Sequence, residues 1–204
     1  MMLLTLLLSA ATGYLLGSFP CGVVVVRFWK GEDLRKMGTG HTGGRNVRRV
    51  AGLAPAILAV LGDAAKALLA VKLAELFGPA PWAVPVAATA AVAGHCWPLY
   101  TRFQGGMGLG CASFILLYLS PLSFFLLVPA FLVWYILFRQ QYRAAAVTAL
   151  TAPVSLWLTG NSLPAIAAGI GMGVVIAVRH IPNLKSTRPR RSPRPPRSTR
   201  EPDQ

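Results

Sequence analysis

The stretch "DLRKMGTGHTGGRNVRR", residues 33–49, separates two long apolar segments of the chain. It holds four glycines and five lysine or arginine residues, whereas residues 2–27 and 52–76 on either side are almost entirely apolar. A segment of about 20 apolar residues is long enough to cross the hydrocarbon core of a bilayer as a helix. Basic loops between such helices remain on the cytoplasmic side. The stretch therefore predicts an all-α membrane protein and the side on which this loop lies.

The composition of the whole chain supports the same class of protein. Of the 204 residues, 54% are hydrophobic and only 13% are charged, with 20 lysines and arginines against six acids. Soluble domains contain about 25% charged residues, so a soluble globule is excluded. The net charge of +14 would suit nucleic acid, but it is concentrated in inter-helix loops and the tail. It therefore indicates membrane topology, and we expect no nucleic-acid partner.

The apolar pattern predicts one polytopic membrane domain over residues 1–184 with seven transmembrane helices. A single helix over the long apolar run of residues 108–138 would be about 45 Å long at 1.5 Å per residue, and Ser120-Pro121 offers a natural break. We therefore divide that run in two. The predicted helices cover residues 2–27, 52–76, 81–101, 108–120, 122–138, 144–159 and 164–180.

The distribution of positive charge tests this helix count. With the N-terminus outside, all of the 20 lysines and arginines except Lys66 and Lys72 fall in or beside cytoplasmic segments, as cytoplasmic loops require. The C-terminus is then cytoplasmic. Residues 185–204 are rich in arginine and proline, and we predict a disordered tail that contacts anionic lipid headgroups; a nucleic-acid contact is the alternative.

The loop of residues 33–49 has the properties of an anion-binding site. Closely spaced glycines allow positive φ angles and expose successive amides to an anion, and guanidinium groups bind phosphate through paired hydrogen bonds. The alternative is a topology-setting basic loop whose glycines serve flexibility. "GTGHTG" (38–43) also fits the dinucleotide-binding pattern, but that motif needs a preceding strand. Its flanks here are predicted helices, so we exclude it.

Two further segments on the predicted cytoplasmic side carry unusual residues. "FQGGMGLG" (103–110) is a second glycine loop, which could bind phosphate or simply allow close helix packing. "RHIPN" (179–183) places His180 at a helix end, where an imidazole serves as a base at neutral pH. Asp63 and Lys66 share one face of a helix and either pair with each other or reach the site. We expect His95 to have a structural role.

These motifs together resemble the bacterial membrane glycerol-3-phosphate acyltransferases that use acyl phosphate as donor, over residues 13 to 184. That family has seven membrane helices and a cytoplasmic active site, and it forms lysophosphatidic acid in phospholipid synthesis. The resemblance therefore implies a multi-pass protein of the bacterial inner membrane, without cofactor or metal ion. The matching segments are "GSFPCG" (17–22), residues 33–49, Asp63, Lys66, "GHCWP" (94–98), "FQGGMGLG" and "RHIPN".

The resemblance also implies roles for individual residues. Catalytic roles are expected for Thr39, Arg49, His180 and Asn183, with Arg49 gripping phosphate. The residues expected to bind substrate or its phosphate are Gly38, Gly40, His41, Gly43, Arg45, Asn46, Lys66, Gly105, Gly106 and Gly108.

The sequence departs from the family pattern at several positions. Met107 stands where the family has a lysine in its second glycine loop, and a lost cation could cost several kcal/mol of transition-state stabilisation. Arg45, where the family has threonine, is a candidate to compensate. Two other functions therefore stay open: a weak or inactive paralogue that still binds lipid phosphates, and a small transporter of phosphorylated solutes.

Overall fold

The computed structural model describes residues 1–78 and 80–184, which form nine α-helices and three short 3₁₀ turns without any β-strand. The predicted all-α class is confirmed. The predicted tail, residues 185–204, lies outside the described residues. The helices are α1 (Met2–Ser18), α2 (Cys21–Lys30), α3 (Gly44–Ala51), α4 (Leu53–Leu76), α5 (Ala83–Cys96), α6 (Leu109–Leu119), α7 (Pro121–Phe138), α8 (Gln141–Leu158) and α9 (Leu163–His180).

The prediction of one continuous helix over residues 2–27 is wrong, because the chain breaks between α1 and α2. Proline has no amide hydrogen and disfavours the helical conformation in the residue before it. Phe19 accordingly adopts an extended conformation (φ −62°, ψ 121°) ahead of Pro20. The break leaves the Phe19 carbonyl without a helical partner, and the ammonium of Lys66 donates to it at 2.7 Å.

Other boundaries also differ from the prediction. The helix predicted over residues 81–101 ends at Cys96, because Trp97 and Pro98 interrupt it and only a 3₁₀ turn, Leu99–Thr101, follows. The basic loop contains a helix, α3, that the charge pattern did not indicate. The predicted break at Ser120 is confirmed: Ser120 ends α6 and caps α7 by accepting from the Ser123 amide.

Four helical segments among the described residues are long and apolar enough to cross a membrane. They are Met2–Lys30, which includes the break at Pro20, Leu53–Leu76, Pro121–Phe138 and Leu163–Asn183. The helix α7 buries only Ser123 against the rest of the protein. The apolar side chains that it exposes suit contact with lipid, because a helix apolar on all sides needs an apolar environment.

Small residues let the helices approach closely. Gly13 and Gly17 of α1, spaced as in a GxxxG motif, face the backbone of Ala87 and Ala91 in α5, and a Cβ atom at either glycine would collide with it. In membranes, where lipid is as apolar as the protein, such close packing drives helix association. These contacts make the α1–α5 pair the most extensive interface in the bundle.

Hydrogen bonds join the loops at each end of the bundle. At one end, the Thr5 hydroxyl donates to the Phe77 carbonyl at 3.4 Å and the Asn161 amide donates to Ser120 at 3.0 Å. At the other end, the Tyr14 hydroxyl donates to the Trp97 carbonyl at 2.8 Å. This second end carries the glycine loops and most of the described basic residues.

Candidate active site

The loop of residues 37–43 is folded around the buried side chain of Asn46. The Asn46 Oδ1 accepts from the Thr39 amide at 2.9 Å, and Nδ2 donates to the carbonyls of Met37 and His41 at 3.1 and 2.9 Å. Gly38 has a φ of +57° and lies so close to this amide that a Cβ atom would collide with it. The side chain of Asn46, which is predicted to bind substrate, therefore stabilises the conformation of this loop.

The helix α3 presents a row of arginines beside that loop. Arg45, Arg48 and Arg49 are exposed, and Arg45 lies three and four residues before the other two, so the three side chains share one side of the helix. Within the described residues, they form no ion pair and no side-chain hydrogen bond. Three neighbouring guanidinium groups that lack an acidic partner attract anions such as phosphate, and phosphate binding by these arginines stays a prediction.

Arg35 connects the stretch of residues 33–49 to the turn that precedes the second glycine loop. Its guanidinium donates to both carboxylate oxygens of Asp33, the shortest contact being 2.6 Å to Oδ2, and it also donates to the Thr101 carbonyl at 3.4 Å. The hydrogen bonds from Arg35 lower the pKa of Asp33 to about 2. Asp33 therefore stays ionised throughout the physiological range and keeps Arg35 in the bridging position.

The second glycine loop, residues 105–108, is fitted against the end of α5. The Gly106 amide donates to the His95 carbonyl at 3.0 Å, and a Cβ atom at Gly105 would collide with the backbone of His95 and Cys96. From the other side, Arg179 donates to the carbonyls of Gly105 and Gly106 at 3.0 and 2.9 Å. These bonds join "FQGGMGLG" to "RHIPN".

We expect Gly105→Ala to disrupt this loop and reduce activity strongly. The added methyl group meets fixed backbone atoms, so the loop must move away from α5 and from Arg179. The matched control is Gly110→Ala, five residues on in α6, where a Cβ atom meets nothing within 4 Å and alanine favours the helix by about 1 kcal/mol. The thermal midpoint and turnover of both purified variants check the prediction. Equal turnover in the two would contradict it.

A buried polar cluster lies next to the second glycine loop, where a Cβ atom at Gly106 would collide with the His95 ring. Lys66 Nζ is 2.9 Å from Asp63 Oδ1, and His95 Nδ1 is 3.4 Å from the same oxygen, with all three side chains buried. The Asp63–Lys66 pairing that the sequence left open is thus present. Because Lys66 also binds the Phe19 carbonyl, this cluster ties the α1–α2 break to α4 and α5. Substrate contact by Lys66 stays a prediction.

His180 has a defined hydrogen-bonding state. Its side chain is 1% exposed, and Nδ1 lies 2.8 Å from the Ile176 carbonyl. A ring nitrogen facing a carbonyl must carry the proton, so Nε2 of a neutral imidazole is left as an acceptor. A base requires this protonation state, but the imidazole is buried in this structure, so contact between Nε2 and a substrate stays a prediction. The Tyr142 ring packs against the imidazole edge, with ring centroids 6.0 Å apart.

Asn183 lies in the turn after α9. Its backbone carbonyl accepts from Gln140 Nε2 at 3.1 Å, which joins the end of α9 to the start of α8. Together with the Arg35 and Arg179 bonds, this contact places the four segments around residues 35, 101–106, 140 and 179–183 at one end of the bundle. Contact between a substrate and the predicted site residues in these segments stays a prediction.

Two residues that hold segments together at this end of the bundle were missing from the predicted site residues. Arg179 holds the second glycine loop and stacks 5.7 Å from the Trp97 ring, and Tyr14 binds the Trp97 carbonyl. Tyr14 could have been found because it is a polar residue inside an apolar segment. Arg179 could have been found because it is next to His180 in the sequence. Within residues 1–78 and 80–184, no cluster of three or more His, Cys, Asp or Glu side chains could hold a metal ion.

The fold and the site define a class: an integral membrane protein of packed apolar helices with a basic, glycine-rich region at one end. A sequence profile described as glycerol-3-phosphate acyltransferase matches residues 7–188. The chain belongs to the glycerol-3-phosphate acyltransferase family.

Curated relatives and solved structures agree with this assignment. The chain is 37% identical to the glycerol-3-phosphate acyltransferase of Rubrobacter xylanophilus over 179 residues, which cover 85% of this chain and 87% of the relative. It is 37% identical to that of Synechococcus elongatus, covering 95% and 96%. The crystal structure of PlsY (YgiH), an integral membrane glycerol 3-phosphate acyltransferase in its glycerol 3-phosphate form, superposes with a TM-score of 0.72 at 29% identity, covering 87% and 89%.

Proposed function

We propose that this protein transfers a fatty acyl group from acyl phosphate to the 1-hydroxyl of glycerol 3-phosphate, forming lysophosphatidic acid and inorganic phosphate. Family membership supports the acceptor, since the relatives are named for glycerol 3-phosphate. The observation that carries the proposal is the gathering of motif segments at one end of the bundle: hydrogen bonds join Arg35 to the turn before the second glycine loop, and that loop to the segment of His180. The α3 arginines lie in the same stretch as Arg35.

The acyl transfer depends on substrate binding and charge neutralisation, and it does not require a nucleophilic side chain. Acyl phosphate is an activated mixed anhydride, so the glycerol hydroxyl attacks its carbonyl carbon directly while the carbon–phosphate oxygen bond breaks. Arg49 and the loop amides neutralise phosphate oxygens. Nε2 of His180, or the departing phosphate, takes the hydroxyl proton. The cysteines Cys21, Cys96 and Cys111 are buried, which suits a mechanism without an acyl-enzyme.

The proposal includes a location and an orientation. We place the protein in the bacterial inner membrane with seven spans, the N-terminus outside, and the site and C-terminus in the cytoplasm. The positive charges at the glycine-loop end support this orientation, as does the near-neutral opposite end. Of the described acidic residues, Glu75 alone lies near that opposite end, paired with Lys72 at 3.0 Å. The domain would comprise residues 1–184.

Met107 favours a second candidate, a paralogue that binds lipid phosphates with little turnover. It occupies the glycine loop between Gly106 and Gly108, where the family resemblance leads us to expect a lysine.

The proposed acyl transfer is tested by an assay of the detergent-purified protein with palmitoyl phosphate and radiolabelled glycerol 3-phosphate, with palmitoyl-CoA as the alternative donor. We expect lysophosphatidic acid from the acyl phosphate only.

Other outcomes of this assay would contradict the proposal in different ways. Binding of glycerol 3-phosphate without product would support the weak paralogue. Product from palmitoyl-CoA alone would reject acyl phosphate as the donor. Uptake of glycerol 3-phosphate into protein-containing liposomes, without product, would support a transporter.

A further inference from the structure

An apolar groove of about 480 Å³ runs between α8 and α9. Its volume lies within the range of ligand pockets, about 300 to 1,000 Å³. Apart from Phe138 of α7 and Arg143 of α8, its lining is aliphatic. Leu150, Val174 and Val178 line it and are 50%, 49% and 47% exposed. Apolar side chains that the helix bundle leaves uncovered in this way mark a site of contact with an apolar partner.

The groove extends from the glycine-loop end of the bundle toward the bilayer centre. On α8 its lining runs from Arg143 to Leu150, and on α9 it runs from Ile181 back to Val174. Seven residues of helix correspond to about 10 Å at 1.5 Å per residue. One leaflet supplies about 15 Å of a hydrocarbon core about 30 Å thick. The length of the groove therefore suits an acyl chain of a lipid in the leaflet on the glycine-loop side.

Arg143 lies at the membrane-surface end of the groove. Its Nε and Nη2 donate to the Leu184 carbonyl at 3.4 and 3.3 Å, which fixes the guanidinium at this end. A guanidinium has five N–H donors, so the others remain for a ligand. The side chain is exposed and forms no ion pair within residues 1–78 and 80–184. An unpaired cation at the end of an apolar groove suits an amphiphile with an anionic headgroup.

The charges around Arg143 favour a headgroup with a net negative charge over a zwitterionic one. Arg139, in the turn before α8, is also positive. Of the four acidic residues among the described ones, three are paired with cations of their own, and the fourth, Glu32, follows α2. The ammonium of an ethanolamine headgroup would thus be repelled at this position, whereas a glycerol headgroup carries no cation.

The groove also includes the turn that follows His180. Ile181 and Leu184 line it, and Gln140 Nε2 donates to the carbonyls of Asn183 and Leu184 at 3.1 and 3.3 Å. None of the residues 105–109 lines the groove. A lipid in the groove would therefore contact the segment that carries His180 and Asn183 without occupying the second glycine loop.

We propose that this groove binds an anionic phospholipid of the leaflet on the glycine-loop side, with its phosphate at Arg143 and one acyl chain against Leu150, Val174 and Val178. The bound lipid belongs to the surrounding bilayer and is not a substrate, so the inference does not depend on the proposed acyl transfer. By contacting α8, α9 and the turn after His180 together, the lipid stabilises this end of the bundle.

The test is native mass spectrometry of the detergent-purified full chain, titrated with dioleoyl phosphatidylglycerol or dioleoyl phosphatidylethanolamine. We expect the wild-type protein to bind phosphatidylglycerol in preference. Arg143→Gln should weaken that binding by roughly tenfold, the effect of losing one hydrogen bond to a charged group, and should abolish the preference. The matched control is Arg27→Gln. Arg27 is also exposed at the glycine-loop end and also donates to a backbone carbonyl, that of Gly31 at 3.0 Å, and its loss should change neither affinity.

A second pair of variants tests the apolar part of the groove and does not depend on whether Arg143→Gln folds. Val178→Trp places a large side chain on the groove wall and should weaken the binding of both lipids. Val154→Trp makes the same change on α8 outside the groove and should not. The two valines are 47% and 54% exposed, so neither substitution disturbs a buried contact, and thermal unfolding should show the wild-type Tm for both.

Four results would overturn the inference. The first is equal binding of the two lipids by the wild-type protein, and the second is equal weakening in Arg143→Gln and Arg27→Gln, which would show a response to overall charge alone. The third is wild-type binding by Val178→Trp, which would place the lipid elsewhere. The fourth is a lipid-free dimer that Val178→Trp prevents, which would assign the groove to a second copy of the chain. Since no acyl transfer is measured, these results leave the proposed function untouched.

Discussion

Replacing Arg49 by alanine should lower kcat/KM for glycerol 3-phosphate by roughly 100- to 1,000-fold, the cost of removing one preorganised donor from a developing oxyanion. Arg49 is exposed on α3 and makes no ion pair with any described residue. Its guanidinium is thus available to the phosphate, and its loss should leave the fold intact. Initial rates over a range of glycerol 3-phosphate concentrations separate the effects on kcat and KM.

The control for Arg49→Ala is Arg139→Ala. Arg139 is also an exposed arginine at the glycine-loop end, but it lies in the turn between α7 and α8. Removing it changes the net charge by the same amount, so any long-range attraction of the anionic substrate falls equally. Equal losses in the two variants would show that Arg49 supplies only general charge, which would contradict its assigned role.

Replacing Asp63 by asparagine should destabilise the protein by about 3–5 kcal/mol, because it leaves the buried ammonium of Lys66 without its counter-ion. In a protein of this size such a loss corresponds to a fall in Tm of roughly 10 °C. Lys66 also binds the Phe19 carbonyl, and His95 lies against Gly106. We therefore expect the variant to lose activity even at temperatures at which it remains folded. Thermal unfolding in detergent and turnover at a temperature well below Tm measure the two effects separately.

The chain contains a matched control for this pair. Lys72 and Glu75 lie on the same helix with the same spacing, but their side chains are 55% and 37% exposed. Exposed pairs contribute little, and the Tyr118 hydroxyl, which donates to Glu75 at 2.9 Å, can donate equally to the amide oxygen of glutamine. Glu75→Gln should therefore leave Tm and turnover almost unchanged. The double variant Asp63→Leu/Lys66→Met removes both buried charges and should recover stability without recovering activity. Full recovery of activity would contradict a positioning role for the pair.

The sequence predicted the parts of the fold that hydropathy and charge determine. The break at Ser120 was foreseen because a proline follows directly and because one helix would have been too long for a bilayer. The same reasoning missed the break at Phe19, where the run of 26 residues predicted as one helix, 2–27, looked a suitable length to span alone. Pro20 indicated a helix break at this position, but the apolar residues on both sides of it favoured one continuous helix.

The candidate site was predictable at the level of segments rather than of atomic roles. Glycines and arginines within residues 33–49 indicated an anion site, but the sequence could not show that the Asn46 side chain lies under the loop. Likewise, Gly105 and Gly106 look like flexible positions, whereas the structure uses them for close contact with His95. Long-range contacts such as Arg179 to Gly106 depend on how helices pack, which local patterns do not specify.

The most direct measurement of the central claim is a structure of the protein with glycerol 3-phosphate bound. We expect the phosphate at hydrogen-bond distance, about 3 Å, from the Arg49 guanidinium and from amides of the glycine loops, with the 1-hydroxyl toward His180. A phosphate bound at another place, with Arg49 directed into solvent and the two glycine loops empty, would contradict it.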